Sequence, residues 1–243
     1  MTEDIKRVEV NGRRHYQIKD GGGHTHTYPS VTTILGNTSD KSGLAAWRKR
    51  VGEAEADRIS SLSMNRGTVM HRLIELYKVI EGSNQERLDK LKVLAKTDEE
   101  IIEFDTKFID AGWVMFMKFW DNHELFFDRV EKVIESETFL WSSIGYAGTV
   151  DNISKMTDGN ILVIDYKNSR RPKRDEWVQD YYLQLASYYV AYYQRSRIIP
   201  NGAEIWIANE NDSVPQIFTL TKQDIKYYFE EFRKRLNKYN ENI

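Results

Sequence analysis

The spacing of apolar residues divides the chain into a helical half and a strand-rich half. Residues 5–19 predict a β-hairpin folded about Asn11-Gly12, a two-residue turn signal. Gly21-Gly22-Gly23 then breaks the chain, and Pro29-Ser30 reads as a helix start. Ser42 to about Ser61 predicts a helix with Leu44, Trp47, Val51 and Ala54 on one stripe. Residues 64–81 predict a second, packed through Met70, Leu73, Leu76 and Tyr77. Residues 84–96 read as a charged helix. Thr97 and Glu100 have the spacing of a capping box that opens a helix bearing Ile101, Phe108, Trp113, Phe116, Phe119 and Trp120. That aromatic density suits a core better than a base-stacking surface.

From about residue 129 the pattern changes to strands. Val130 to Trp141, Ile144 to Met156 and 160–168 predict an antiparallel meander. A helix follows from Trp177 to Arg195, then strands at Ala203–Asn209 and Gln216–Leu220. The last helix opens at Thr221 with Asp224 as cap partner and ends basic, at Lys234, Arg235 and Lys238. The fold expected is α/β, a mixed central sheet flanked by helices with a helical elaboration at the N-terminal end. No repeat or low-complexity linker interrupts it. One domain is therefore expected over 1–243, with a hairpin and helical part (1–125) and a sheet core (126–243).

The stretch from Gly148 to Lys167 departs from plain packing. Gly148-Thr-Val-Asp151 is joined through Thr157-Asp158-Gly159-Asn160 to the apolar run Ile161–Ile164, which ends in Asp165-Tyr166-Lys167. The Asp-Gly pair predicts a tight turn that carries Asp151 back toward Asp165. Alternation places Asp165 and Lys167 on one face and Tyr166 on the other. Charges at the end of a buried strand are costly unless used. Asp-x-Lys alone reads better as a surface ion pair on an edge strand; its apolar strand, its Gly-x-x-Asp hairpin partner and the further motifs below favour a site. Two carboxylates and a lysine suit a hard divalent cation, Mg2+ or Mn2+, held beside a phosphate.

Composition narrows the chemistry. The chain has 243 residues and no cysteine, which excludes disulfides, thiolate zinc sites, iron-sulfur clusters and cysteine nucleophiles. No apolar run is long enough to span a bilayer, and the N-terminus lacks the form of a signal peptide, so a cytoplasmic location is expected. Net charge is −2, so any nucleic-acid partner must be held by local patches. The loop after Lys167 supplies one, with Arg170, Arg171, Lys173 and Arg174 around Pro172. Arg48, Lys49 and Arg50 beside Trp47 read either as a strand-gripping face or as an ordinary solvated one. His24 and His26 share a strand face without a third ligand nearby, which suits a solvated edge better than a metal. His71 is the better candidate ligand, with Glu75 four residues on as a partner that could orient it. Gly67 would let backbone approach closely.

In order, Gly67-x-x-x-His71, Gly148-x-x-Asp151, Asp165-x-Lys167 and Gln184-x-x-x-Tyr188 resemble the RecB-like branch of the PD-(D/E)XK nuclease superfamily over roughly residues 28–195. Pro29-Ser-Val-Thr32 before a Trp-Arg/Lys helix is also similar to phage exonucleases and the mitochondrial genome-maintenance exonuclease. The resemblance implies a restriction-endonuclease-like core. It implies His71, Asp151, Asp165 and the Tyr166 carbonyl as metal ligands and Lys167 as the catalytic lysine. Gln184 and Tyr188 would shape the site or contact DNA, and Glu135 falls where these proteins often carry a glutamate. It implies a Mg2+- or Mn2+-dependent DNA exonuclease acting on ends of single-stranded or processed DNA in a bacterial or phage-infected cell. No helicase motif is present, so a helicase, single-strand-binding or recombination protein would be the partner. A non-catalytic DNA-binding module, a structure-specific endonuclease and a hydrolase of another phosphodiester remain open.

Overall fold

The computed structural model describes residues 4–19 and 22–241. Strands β1 (Asp4–Val10) and β2 (Arg13–Lys19) form the expected hairpin, with Asn11 and Gly12 both at positive φ. Strand β3 (Thr25–Pro29) adds to β2 and completes a three-stranded antiparallel sheet. Of the glycine break, Gly21 lies outside the described residues. Ser30 caps α1 (Val31–Thr38) by accepting a bond from the Thr33 amide at 2.9 Å.

The helical boundaries differ from expectation. The chain breaks at Gly52, where φ is +89°, rather than near Ser61. Helix α2 (Ser42–Val51) therefore stops short, and α3 runs unbroken over Glu53–Val79. Nothing between Leu62 and Met64 removes an amide or demands an unusual φ, so propagation continues. The expected stripe on α2 packs into no core: α2 has no buried residue, and Leu44 is 53% exposed. Ser83 and Glu86 form the capping box, opening α4 (Asn84–Leu94). Thr97 and Glu100 do not form one. Asp98 caps the single turn α5 (Glu99–Ile102), and the aromatic helix α6 starts later, at Thr106–Asp121. Its Phe116 and Phe119 are fully buried, as a core reading requires.

The second sheet has five strands in sequential order: β4 (Val130–Ser142), β5 (Tyr146–Met156), β6 (Ile161–Ser169), β7 (Gly202–Asn209) and β8 (Gln216–Leu220). All neighbours are antiparallel except β6 and β7, which α7 (Gln179–Ser196) connects. A parallel step needs such a crossover. Every residue of β7 is buried, as a strand covered on both faces should be. One face packs Val150, Ile153 and Val163 against α1, α7 and α8 (Lys222–Glu241). The other packs Ile164, Tyr166 and Trp206 against α3 and α6. This is a mixed α/β fold, a five-stranded mixed sheet flanked by helices. The N-terminal sheet leans on the larger one through Tyr16, whose hydroxyl lies 3.3 Å from Thr149 Oγ1 and whose ring meets Phe139 edge-on. No helix among the described residues is long and apolar enough to cross a membrane.

Candidate active site

Two turns set a row of carboxylates across the larger sheet. Counting back from the Asp158-Gly159 turn, the ladder ends at Asn152–Ile164, and just beyond it Asp151 Oδ2 accepts from the Tyr166 amide, which sets Asp151 beside Asp165. Counting back from the turn between β4 and β5, Ser136 pairs Asn152 and Thr138 pairs Val150, so Glu137 comes opposite Asp151. Directly opposed residues lie about 4.5–5.5 Å apart at Cβ, and like charges placed so are destabilising. The strands thus present Glu137, Asp151 and Asp165 side by side, an arrangement that calls for a cation.

Helix α3 supplies the imidazole. His71 Nε2 lies 2.8 Å from the Tyr166 carbonyl, and its Nδ1 lies 3.6 Å from Asp151 Oδ2. Donation from Nε2 to that carbonyl leaves Nδ1 with a free lone pair toward the carboxylates. Burial holds His71 below its ordinary pKa, against the pull of Asp151, so the ring is neutral, as a metal ligand must be. Ligand atoms of His71, Glu137 and Asp151 all lie within 4.8 Å of one another. Hard oxygens with one imidazole fit a divalent cation. Burial, then Asp151, raises the Glu137 pKa to about 8. Burial also raises that of Asp165, partly offset by Lys167. Without a cation the row keeps protons that metal binding would release.

Asp165 and Lys167 are ion-paired on one face of β6, and Tyr166 turns into the opposite core, as alternation predicts. Burial works against the Lys167 charge, but Asp165 and Asp151 outweigh it and hold its pKa above the ordinary value. Its ammonium also sits 5.3 Å from the Tyr181 ring centre. Gln184 Nε2 donates to Asp165 Oδ1 at 3.2 Å and to the Tyr188 hydroxyl at 3.4 Å. A Cβ on Gly148 would fall 2.6 Å from the Tyr188 ring, so the Gly-x-x-Asp and Gln-x-x-x-Tyr segments interlock. Asp151 Oδ2 accepts from the Tyr166 amide at 2.8 Å. A Cβ on Gly67 would fall 2.5 Å from Asn168 Nδ2, which is the close approach its position suggested.

Two expected supporting residues lie elsewhere. Glu75 accepts from Arg72 at 2.7 Å instead of orienting His71. Glu135 accepts from Thr138 at 2.8 Å and lies across from Ile153, leaving Glu137 as the residue in the row. Glu137 was legible by counting from the β4–β5 turn. Lys78 was not: seven residues after His71 on α3, it donates to Asn152 Oδ1 at 3.3 Å, and burial lowers its pKa to about 8. The basic loop splits. Lys173 faces the site, Arg170 points toward Glu210 at 4.0 Å, Arg171 is exposed, and Arg174 stacks on Trp177. His26 stacks on Tyr28, away from the His71, Glu137 and Asp151 cluster.

A cleft of about 590 Å³ opens over Lys167, walled by Leu44 and Trp47 of α2, Met64 of α3, Lys173 and Tyr181. The unburied stripe of α2 faces this cleft, so its periodicity marks a wall rather than a core.

A sequence model of the PD-(D/E)XK nuclease superfamily matches residues 41–243. No curated protein matches the sequence. Among solved structures, a conjectural exonuclease from Eubacterium rectale is similar, with 15% identity and a TM-score of 0.41. The likeness covers 66% of this chain and 64% of that one, so the chain spans just under two thirds of its length. SSO0001 is similar with 12% identity and a TM-score of 0.32, covering 68% of this chain and 84% of that one.

Proposed function

The chain belongs to the PD-(D/E)XK nuclease superfamily, and from that premise we propose that it is a divalent-metal-dependent DNA exonuclease of the RecB-like branch. Its substrate is the end of single-stranded or processed DNA. The observation that carries this reading is the row Glu137–Asp151–Asp165 beside His71 and Lys167, at the foot of a cleft with exposed apolar walls.

His71, Glu137 and Asp151 would hold Mg2+ or Mn2+, with Asp165 and the Tyr166 carbonyl at the edge of the same site. When bound, such a cation lowers the pKa of a water and screens charge on phosphate oxygens. Lys167 keeps its proton through Asp165, so its Nζ serves as a donor to the developing phosphorane oxygens and orients the attacking water. Gln184 fixes the Asp165 carboxylate, and Tyr188 backs Gln184. Lys173 holds a backbone phosphate in the cleft; Arg170, Arg171 and Arg174 extend that contact along the strand. Trp47 and Leu44 offer a surface on which unpaired bases stack, which favours a single strand over a duplex. Residues 1–243 act as one nuclease domain, with the N-terminal sheet and helices bracing the sheet core. The cysteine-free chain suits the reducing cytoplasm of a bacterial or phage-infected cell, where a helicase, single-strand-binding or recombination protein would open the duplex.

The test is degradation of end-labelled linear single- and double-stranded DNA beside a circular single strand, with Mg2+, Mn2+ or EDTA and Asp165→Ala as control. Metal-dependent loss of linear strands with the circle spared is expected. Cutting of the circle would make the protein an endonuclease, and binding without cleavage would make it a DNA-binding module.

A further inference from the structure

A second, smaller cavity of about 210 Å³ lies on the far side of Ser63 from the cleft. Ile59 and Ser63 of α3 line both, so the two adjoin. Three guanidinium groups converge on it, those of Arg58, Arg66 and Arg170. Arg66 is only 3% exposed. Its Nε donates to Asn168 Oδ1 at 2.6 Å, its Nη1 is ion-paired with Glu210, and Arg170 Nε stands 4.0 Å from the other oxygen of that carboxylate. Arg58 is engaged by Glu55 at 2.7 Å. Three cations against two carboxylates leave the cavity positive. A planar guanidinium fork held this way suits phosphate as well as it suits carboxylate.

The location gives the cavity a register. Asn168, which Arg66 holds, is the residue after Lys167. Arg66 and His71 reach β6 two residues apart, at the Asn168 side chain and at the Tyr166 carbonyl, a rise of roughly 6.6 Å. That is comparable to the phosphate step of an extended strand. Resting on the nuclease reading above, we propose that this cavity is a phosphate subsite for the DNA strand next to the scissile bond. Glu210 fills it in the free protein and yields to the incoming phosphate. Glu210 is suited to that exchange because its side chain is 35% exposed, where β7 ends.

The alternative is a purely structural clamp joining α3 to β6 and β7, and a chemical double-mutant cycle separates the two. Oligonucleotides each carrying one neutral methylphosphonate linkage are bound in EDTA by the wild type and by Arg170→Ala, whose side chain is exposed. The scissile position is mapped from products formed with Mg2+. At one linkage beside it, neutralisation is expected to weaken the wild type about 10-fold and the variant less than about 2-fold. Equal losses in both proteins at every linkage would overturn the subsite while leaving the nuclease reading standing. Failure of folded wild type to bind DNA at all would remove both. Comparing phosphorylated with hydroxyl ends in the same cycle assigns the coupled phosphate to a strand terminus or to an internal linkage. Glu210→Gln removes the competing anion, so it should tighten DNA binding several-fold. Weaker or unchanged binding, with a lowered Tm, would mark Glu210 as a clamp and overturn the exchange.

Discussion

Glu137 sits between the Ser136–Asn152 and Thr138–Val150 pairs of the β4–β5 ladder, level with Asp151, and Asp151 lies just beyond the Asn152–Ile164 pair at which the β5–β6 ladder ends beside Asp165. The sheet has gathered three like charges that side-chain packing alone would separate. Removing one should therefore have opposite effects with and without metal. Glu137→Gln is expected to weaken Mn2+ binding by at least the roughly 10- to 100-fold that loss of a supporting group costs. In EDTA the same variant should be more stable than the wild type. The Glu137 carboxyl of the wild type has its folded-state pKa raised from 4.5 to about 8, so the wild type loses stability as pH rises through that window and the variant does not. The gain in Tm should grow from pH 4.5 to 8 and level off above. Calorimetry with and without Mn2+ checks both signs; a gain that shrinks with pH would contradict the burial of Glu137.

How far this row was legible depends on the turn at each end of β5. The Asp158-Gly159 signal fixed one register, so Asp151 and Asp165 could be paired from sequence. The other ladder slips between Val133 and Glu135, and Glu137 adopts a positive φ of 47°. The slip lies beyond Glu137 as counted from the β4–β5 turn, so Glu137 could be counted onto Asp151, but family likeness pointed instead to Glu135, which accepts from Thr138. The α2 stripe failed for a different reason. A row of apolar residues at helical spacing does not say whether core or substrate will cover it. The break at Gly52 follows a local signal, a glycine at positive φ behind the basic turn Arg48–Arg50, whereas the contact of Lys78 with Asn152 depends on long-range packing that no local pattern carries.

Lys167 and Asp165 share one charge relationship but should separate kinetically. Lys167→Met removes a donor to the phosphate and none of the candidate ligands. Turnover with saturating metal should fall by about 100- to 1000-fold, while Mn2+ affinity should change far less. Asp165→Ala should abolish cleavage and leave the fold and most DNA binding intact. Single-turnover rates across a metal titration measure both, and equal losses of rate and affinity in Lys167→Met would contradict the role given to it.

Gly148→Ala should act on the site through packing alone. The added methyl would meet the Tyr188 ring and hydroxyl at 2.6 and 2.8 Å, and Tyr188 is backed by Gln184 and so by Asp165. Overpacking of this kind costs about 1–3 kcal/mol. A displacement near 1 Å at Asp165 would lower turnover by about 100-fold. Urea unfolding and cleavage rates together test it. A stable and fully active variant would show that Tyr188 moves freely and does not position Asp165.

Trp47 and Lys173 flank the same cleft but contribute different forces, and salt distinguishes them. Trp47→Ala removes a stacking face, which should cost about 1–3 kcal/mol of single-strand binding, nearly independent of ionic strength. Lys173→Ala removes one phosphate contact, which should lower the salt slope of binding by about 0.7 for a single strand. Hydrolysis of a small phosphodiester such as bis-p-nitrophenyl phosphate should be unchanged by Trp47→Ala, since that substrate has no neighbouring base to stack. Binding isotherms for a short oligonucleotide at four salt concentrations, beside the small-substrate rate, would resolve the two. If Trp47→Ala slowed the small substrate as much as the strand, α2 would be bracing the carboxylate row rather than holding bases.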